Sequence, residues 1–227
     1  MPMLVASALF FVGIHLGVAG TRLRDAVVGR LGDKGYGLVF SAASLVGIWW
    51  LVNSYKAAPY VETWGPLEWW KPVAIVLMVP AFLLAVIGIT TPNPTAVAQE
   101  ASLDEPPKGI VRITRHPFLV GVGIWAVVHL VGNGDVASAV LFGTFVVVCF
   151  AGTVSIDAKR RRLIGAERWE PFAAQTSILP FAALAQRRTT LAWRHLLTWQ
   201  LAAAVVLYAL MLGGHSHIVG VSPFPGG

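Results

Sequence analysis

The stretch KGIVRITRHPFLVGVGIWAVVHLVGNGD, residues 108–135, decides the fold class. It opens with a basic, turn-like segment that ends at His116, a residue biased away from the right-handed helical region because a proline follows it. Pro117 suits the first position of a helix, where its missing N–H loses no partner. From Phe118 to Val131 every residue is apolar except His129. The stretch therefore predicts a membrane helix with one histidine just before it and another inside it.

The composition extends this prediction to the whole chain. The 227 residues are 56% hydrophobic and only 12% charged, with a mean hydropathy of +0.69, which is too little charged surface for a water-soluble globule. A helix needs roughly 20 apolar residues to span a bilayer. Six runs approach that length, at 3–20, 36–54, 71–90, 117–132, 136–156 and 195–213. We predict an all-α, polytopic membrane bundle of about six helices, forming a single domain over residues 1–227.

We expect the first apolar run to remain in the protein as a helix and not to be cleaved as a signal peptide. It lacks the basic leader and the small-residue cleavage site of a signal peptide, and it contains a histidine. At the other end of the chain, residues 157–194 are basic and amphipathic, and we expect them to lie along the inner membrane surface. Residues 214–227 are expected to form a C-terminal tail.

The positions of the basic residues predict the orientation. Fifteen of the 17 Lys and Arg residues fall in the alternate segments 21–35, 91–116 and 157–194. The positive-inside rule places these segments in the cytoplasm and both chain termini on the non-cytoplasmic side, in a bacterial inner (plasma) membrane. The net charge of +6 thus reports topology and affinity for an anionic lipid bilayer, and it does not indicate a nucleic-acid partner.

Two histidines inside apolar runs are the main candidates for chemistry. Ionisable residues are rare within a bilayer and usually face the bundle interior. His15 and His129 have no acidic or basic residue in the interior of any apolar run to pair with. Two interpretations are open at this point: a neutral imidazole that hydrogen-bonds a backbone carbonyl or another histidine, or axial ligation of a haem held between apolar helices.

A haem would also need cations near its two propionates. Four arginines at the cytoplasmic ends of the same two helices could supply them: Arg22, Arg24, Arg112 and Arg115. Counting about 1.5 Å per residue, His15 and His129 lie roughly 10 Å and 20 Å from those ends, so a haem bound by both would be tilted. His116 is the reserve ligand.

Three motifs in order resemble the NnrU family, which also includes the 15-cis-zeta-carotene isomerases of plants and cyanobacteria. They are the first helix with His15 followed by LR, then RITRHPFLVGVGIWAVVH, then DAKRRRLIGAERWEPFAAQTSILPF. The resemblance implies a polytopic membrane protein. For the isomerase branch it implies a haem b (iron) that is held by two histidines and isomerises the central 15-cis double bond when the iron is reduced. By motif, these catalytic ligands match His15 and His129, and the RHP histidine matches His116.

Three functions are consistent with these residues. The first is a haem-dependent isomerase of an apolar polyene, in which one histidine leaves the iron on reduction. The second is a non-catalytic haem protein of nitric oxide or nitrite metabolism (denitrification), which senses the gas, handles haem or transfers electrons with an unknown redox partner. The third is an S-adenosylmethionine-dependent methyltransferase, because RHP followed by G-x-E-x-W is similar to the membrane enzymes that act on isoprenylcysteine or phospholipid. Phe118 departs from the tyrosine usual in those enzymes, and methyl transfer gives His15 no role.

Overall fold

The computed structural model describes residues 1–96 and 99–226, and in this part of the chain all the regular elements are helices, without a β-strand. Its α-helices are α1 (Pro2–Val12), α2 (Arg22–Lys56), α3 (Trp70–Thr90), α4 (Pro117–Asn133), α5 (Val136–Ile164), α6 (Ala166–Gln175), α7 (Ala182–Ala185) and α8 (Trp199–Val219). A π-helical segment, Gly13–Val18, continues α1. Short 3₁₀ turns lie at Glu100–Asp104, Gly109–Arg112 and Trp193–His195. The predicted all-α class is confirmed.

Four of the helices are long and apolar enough to cross a bilayer, namely α2, α3, α5 and α8. They correspond to four of the six predicted runs, and they make this a membrane protein. The other two runs are also helical but shorter, at Pro2–Val18 and Pro117–Asn133. The count of six spans and the sidedness of the termini stay predictions.

The second helix begins earlier than its apolar run. It starts at Arg22, so most of the basic segment 21–35 is helical. The Thr21 hydroxyl caps it by accepting a hydrogen bond from the Leu23 amide at 3.2 Å. Gly32 interrupts the helix with a φ of 71°, a left-handed conformation that glycine adopts without steric penalty.

The last helix, α8, begins and ends later in the sequence than the predicted apolar run 195–213. It begins at Trp199 instead of residue 195 and continues to Val219. Gly220 ends it in the left-handed conformation typical of a helix C-terminus, with a φ of 82°. Consequently His215 and His217 belong to the end of α8, and the prediction that they lie in a tail starting at residue 214 is wrong.

The basic segment 157–194 is only partly a surface element. Its first residues extend α5 to Ile164, and α6 follows. Trp169 and Phe172 of α6 are buried, whereas Leu179 and Phe181 are exposed. The apolar face of α6 is therefore packed in the protein.

The described chain forms two compact units, Met1–Leu67 with Ala126–Ser155 and Glu68–Trp125 with Ile156–Gly227, and α4 and α5 contribute to both. In the first unit, α1 and the π-helical segment pack on α2. In the second unit, α3 packs on α8 and Tyr208 donates a hydrogen bond to the carbonyl of Ile75 at 2.7 Å. The second unit also contains a buried hydrophobic core, which consists of Leu84, Ile87, Ile110, Val111, Ile113, Val120, Trp169, Phe172 and Ala204.

The close contact of α4 with α3 in the second unit yields a stability prediction. A Cβ atom at Gly121 would lie 2.6 Å from the carbonyl oxygen of Ala81 and 2.7 Å from the amide nitrogen of Ala85, so backbone would have to move. We expect Gly121→Ala to destabilise the protein by about 1–3 kcal/mol. Gly143→Ala is the matched control, because nothing lies within 4 Å of its added Cβ and alanine favours a helix. Unfolding in detergent followed by circular dichroism measures both, and equal stability of the two variants would refute the close packing.

Candidate functional site

His15 lies in an unusual piece of backbone. It belongs to the π-helical segment Gly13–Val18, which the Ala19 amide closes by bonding the carbonyl of Ile14 at 3.0 Å. Such wider turns are rare and occur frequently at functional sites. The ring atom Nδ1 is 2.8 Å from the carbonyl oxygen of Phe11. Because a carbonyl only accepts, Nδ1 carries the proton and Nε2 is left with the lone pair, the form in which imidazole binds a metal.

Aromatic rings surround the His15 imidazole. The ring centroid of Phe11 is 4.2 Å from that of His15, and Phe40 of α2 approaches edge-on at 5.3 Å. Phe11 in turn lies 5.6 Å from Phe145 of α5. His15 thus contacts aromatic rings of α1 and α2, and the ring of Phe11 in turn contacts a ring of α5.

His129 of α4 packs against the face of α5 that carries Phe145. Its ring lies 5.2 Å from that of Phe142, and residues three apart, such as Phe142 and Phe145, share one face of a helix. We call Phe11, Phe40, Phe142 and Phe145 the aromatic cluster. The structure therefore brings both predicted ligands into the first unit, in contact with one apolar cluster.

The two arginines predicted near His15 differ in their surroundings. Arg22 is exposed at the start of α2. Arg24 forms an ion pair with Asp33 at 3.0 Å and a longer one with Asp25 at 3.5 Å. Its guanidinium also lies 5.2 Å from the ring centroid of Tyr36, which stacks on Phe40 at 5.8 Å. Arg24 is thus connected through two rings to His15.

The second unit contains a separate charged cluster, which was not predicted. One oxygen of Asp157 accepts a hydrogen bond from His116 Nε2 at 2.8 Å, and the other binds Arg115 through Nε at 2.8 Å and a terminal nitrogen at 2.5 Å. His116 is only 2% exposed, and this burial lowers its pKa, although the hydrogen bond that it donates to Asp157 opposes the shift. His116 is therefore a neutral donor to an ionised carboxylate.

Backbone contacts extend from this cluster. The carbonyl of Arg115 accepts hydrogen bonds from Asn93 at 2.9 Å and Thr95 at 2.8 Å. Arg112 binds two backbone carbonyls, of Pro107 at 2.6 Å and Thr190 at 2.5 Å. We conclude that Arg112, Arg115 and His116 stabilise the second unit, and the roles predicted for them toward haem would compete with these bonds. The same holds for a role of the RHP turn in S-adenosylmethionine binding.

Several residues of the site were not predicted from the sequence. The aromatic residues near His15 have a spacing that predicts contact within a helix, because Phe11 precedes His15 by four residues and Tyr36 precedes Phe40 by four. The role of Asp157 was not predicted, because its pairing with His116 across 41 positions has no local signature. Within the residues described here, no group of three or more His, Cys, Asp or Glu side chains is arranged to hold a bare metal ion.

The Asp157 cluster gives a second stability prediction. Asp157→Asn removes the charge from a pair whose side chains are largely buried, so we expect a loss of roughly 3 kcal/mol. Asp104→Asn breaks the exposed ion pair with Arg168 and should change stability by less than about 1 kcal/mol. Thermal unfolding in detergent compares the two variants. If Asp157→Asn were as mild as Asp104→Asn, the cluster would not stabilise the second unit.

Known proteins resemble the chain over most of its length. The profile of the family described as "NnrU protein" matches residues 3–223. The protein "15-cis-zeta-carotene isomerase, chloroplastic" of Arabidopsis thaliana is 25% identical over 193 residues, covering 81% of this chain and 50% of that protein. The protein of the same name from Zea mays is 28% identical over 202 residues, covering 83% and 52%. The chain spans about half the length of these curated relatives, and no solved structure gives a significant match.

Proposed function

The chain belongs to the NnrU family, and we propose that it is a membrane isomerase that uses haem b, held by His15 and His129, to convert a cis double bond of an apolar polyene. The names of two relatives support the reaction class, since both are 15-cis-zeta-carotene isomerases. The observation that carries the proposal is the pair of histidines in contact with one aromatic cluster in the first unit.

The residues present fit a haem. A ligating histidine commonly donates its other ring N–H to a carbonyl, which fixes the tautomer and the ring orientation. His15 has this arrangement, with Nδ1 on the Phe11 carbonyl and no hydrogen bond from Nε2 to any described residue. The aromatic cluster supplies the apolar surface that a porphyrin face requires, and Arg24 is a cation on the His15 side of it.

In this proposal a haem b held by His15 and His129 would supply a redox-active iron for the isomerisation. The chain supplies the rest. The π-helical segment and the Phe11 carbonyl orient His15, and the Phe142 ring packs against His129. The aromatic rings exclude water and offer an apolar surface to the polyene. Rotation about a double bond moves no proton, so no acid or base is required beside the histidines.

A membrane location suits an apolar polyene substrate. A polyene dissolves in the hydrocarbon core, and four helices of this chain are suited to span it. We propose a multi-pass protein of a bacterial inner (plasma) membrane with six spans and both termini on the non-cytoplasmic side. The support for this orientation is the positive-inside distribution of Lys and Arg.

Substitution of the histidines tests the ligand assignment. We expect His15→Ala and His129→Ala each to lower the haem-to-protein ratio of the purified protein at least about tenfold, because each removes one of two bonds to iron. His217→Ala, at an exposed position of α8, should retain haem fully. Pyridine haemochrome absorbance measures haem, and membrane fractionation checks insertion. Full haem retention in both alanine variants would refute the assignment.

A further inference from the structure

The hydroxyl of Tyr36 in α2 is a buried polar group that needs an explanation. It is shielded from solvent and makes no hydrogen bond with any residue in the described part of the chain. A buried hydroxyl without a partner is unfavourable, typically by about 1–3 kcal/mol, and native proteins seldom retain one without reason. The hydroxyl is therefore a candidate contact for a bound molecule.

The backbone break at Gly32 places a second donor beside Tyr36. Twelve residues of uninterrupted α-helix would separate Arg24 from Tyr36 by about 18 Å along the axis. The positive φ of Gly32 interrupts α2 between them, and the Arg24 guanidinium lies 5.2 Å from the Tyr36 ring centroid. The chain thus brings a guanidinium and a phenol together, and both are hydrogen-bond donors.

The neighbours of this pair indicate what it would bind. Tyr36 stacks on Phe40, and Phe40 contacts the ring of His15. In the structure the Arg24 guanidinium contacts the carboxylates of Asp33 at 3.0 Å and Asp25 at 3.5 Å. The side chain of Asp33 is 78% exposed, so water competes for its contact and a ligand carboxylate can replace it. A guanidinium that already holds a carboxylate, next to a phenol and aromatic rings, suits a flat apolar molecule with a carboxylate edge.

We propose that Tyr36 and Arg24 bind a propionate carboxylate of the haem whose iron is held by His15, with the Tyr36 hydroxyl donating one hydrogen bond to it. This inference rests on the proposed function and assigns a residue that the ligand assignment does not require. Asp33 holds Arg24 in place until the propionate replaces it.

The test compares two cofactors that differ only at the carboxylates. Apo-protein in detergent is titrated with haem b and with haem b dimethyl ester, in which both propionates are esterified and uncharged. We expect Tyr36→Phe to weaken haem b binding about tenfold, as for loss of a hydrogen bond to a charged group, and to leave binding of the dimethyl ester unchanged. Tyr60→Phe is the control, because Tyr60 is exposed and its hydroxyl is 3.4 Å from Glu62; it should change neither affinity.

The outcomes separate this inference from the proposed function. Equal weakening of both cofactors by Tyr36→Phe would show that the tyrosine acts through packing and would overturn the inference alone. An unchanged haem b affinity would overturn it as well. If the wild-type chain bound neither cofactor, the proposed function would fail and the inference with it. Circular dichroism of each variant shows that the fold is retained.

Discussion

Inside a bilayer no water satisfies a polar side chain, so each polar group must find its partner within the protein. Polar side chains buried among apolar residues face the same requirement, and two arrangements in this chain meet it. In the first unit, His15 donates a hydrogen bond from Nδ1 to the carbonyl of Phe11, and aromatic rings surround its imidazole. In the second unit, the buried His116 and Arg115 are both satisfied by one carboxylate, that of Asp157. His116 thus stabilises the second unit, whereas His15 is the histidine that we propose as a haem ligand.

The helical class and the main apolar segments were predictable because hydropathy over about 20 residues is a local property. His15 and His129 were equally accessible, since a histidine in an apolar run is conspicuous. Tertiary pairing was not predictable. The bond between His116 and Asp157 joins residues 41 apart, and Phe142 reaches His129 from the following helix. The basic segment 21–35 is mostly helical, and the break at Gly32, which depends on a single residue, was not predicted.

Membership of the NnrU family and the named relatives place the chain among membrane proteins related to carotenoid-type isomerases. The two units differ in the contacts that hold their histidines. The RHP turn is fixed by Asp157 and by backbone bonds to Asn93 and Thr95. The proposed ligands lie in the first unit instead, His15 in a π-helical segment and His129 beside the ring of Phe142. The family motif that is most conspicuous in sequence is thus structural here.

The absorption spectrum of the purified protein, made with haem available, tests the central claim most directly. The spectrum is recorded oxidised, then reduced with dithionite, then with carbon monoxide. Ligation by His15 and His129 predicts a Soret band, sharp α and β bands on reduction, and a shift when the gas replaces a labile histidine. A haem spectrum that the gas leaves unchanged would contradict the isomerase and fit electron transfer. A protein without haem would contradict the account and return both histidines to purely structural roles.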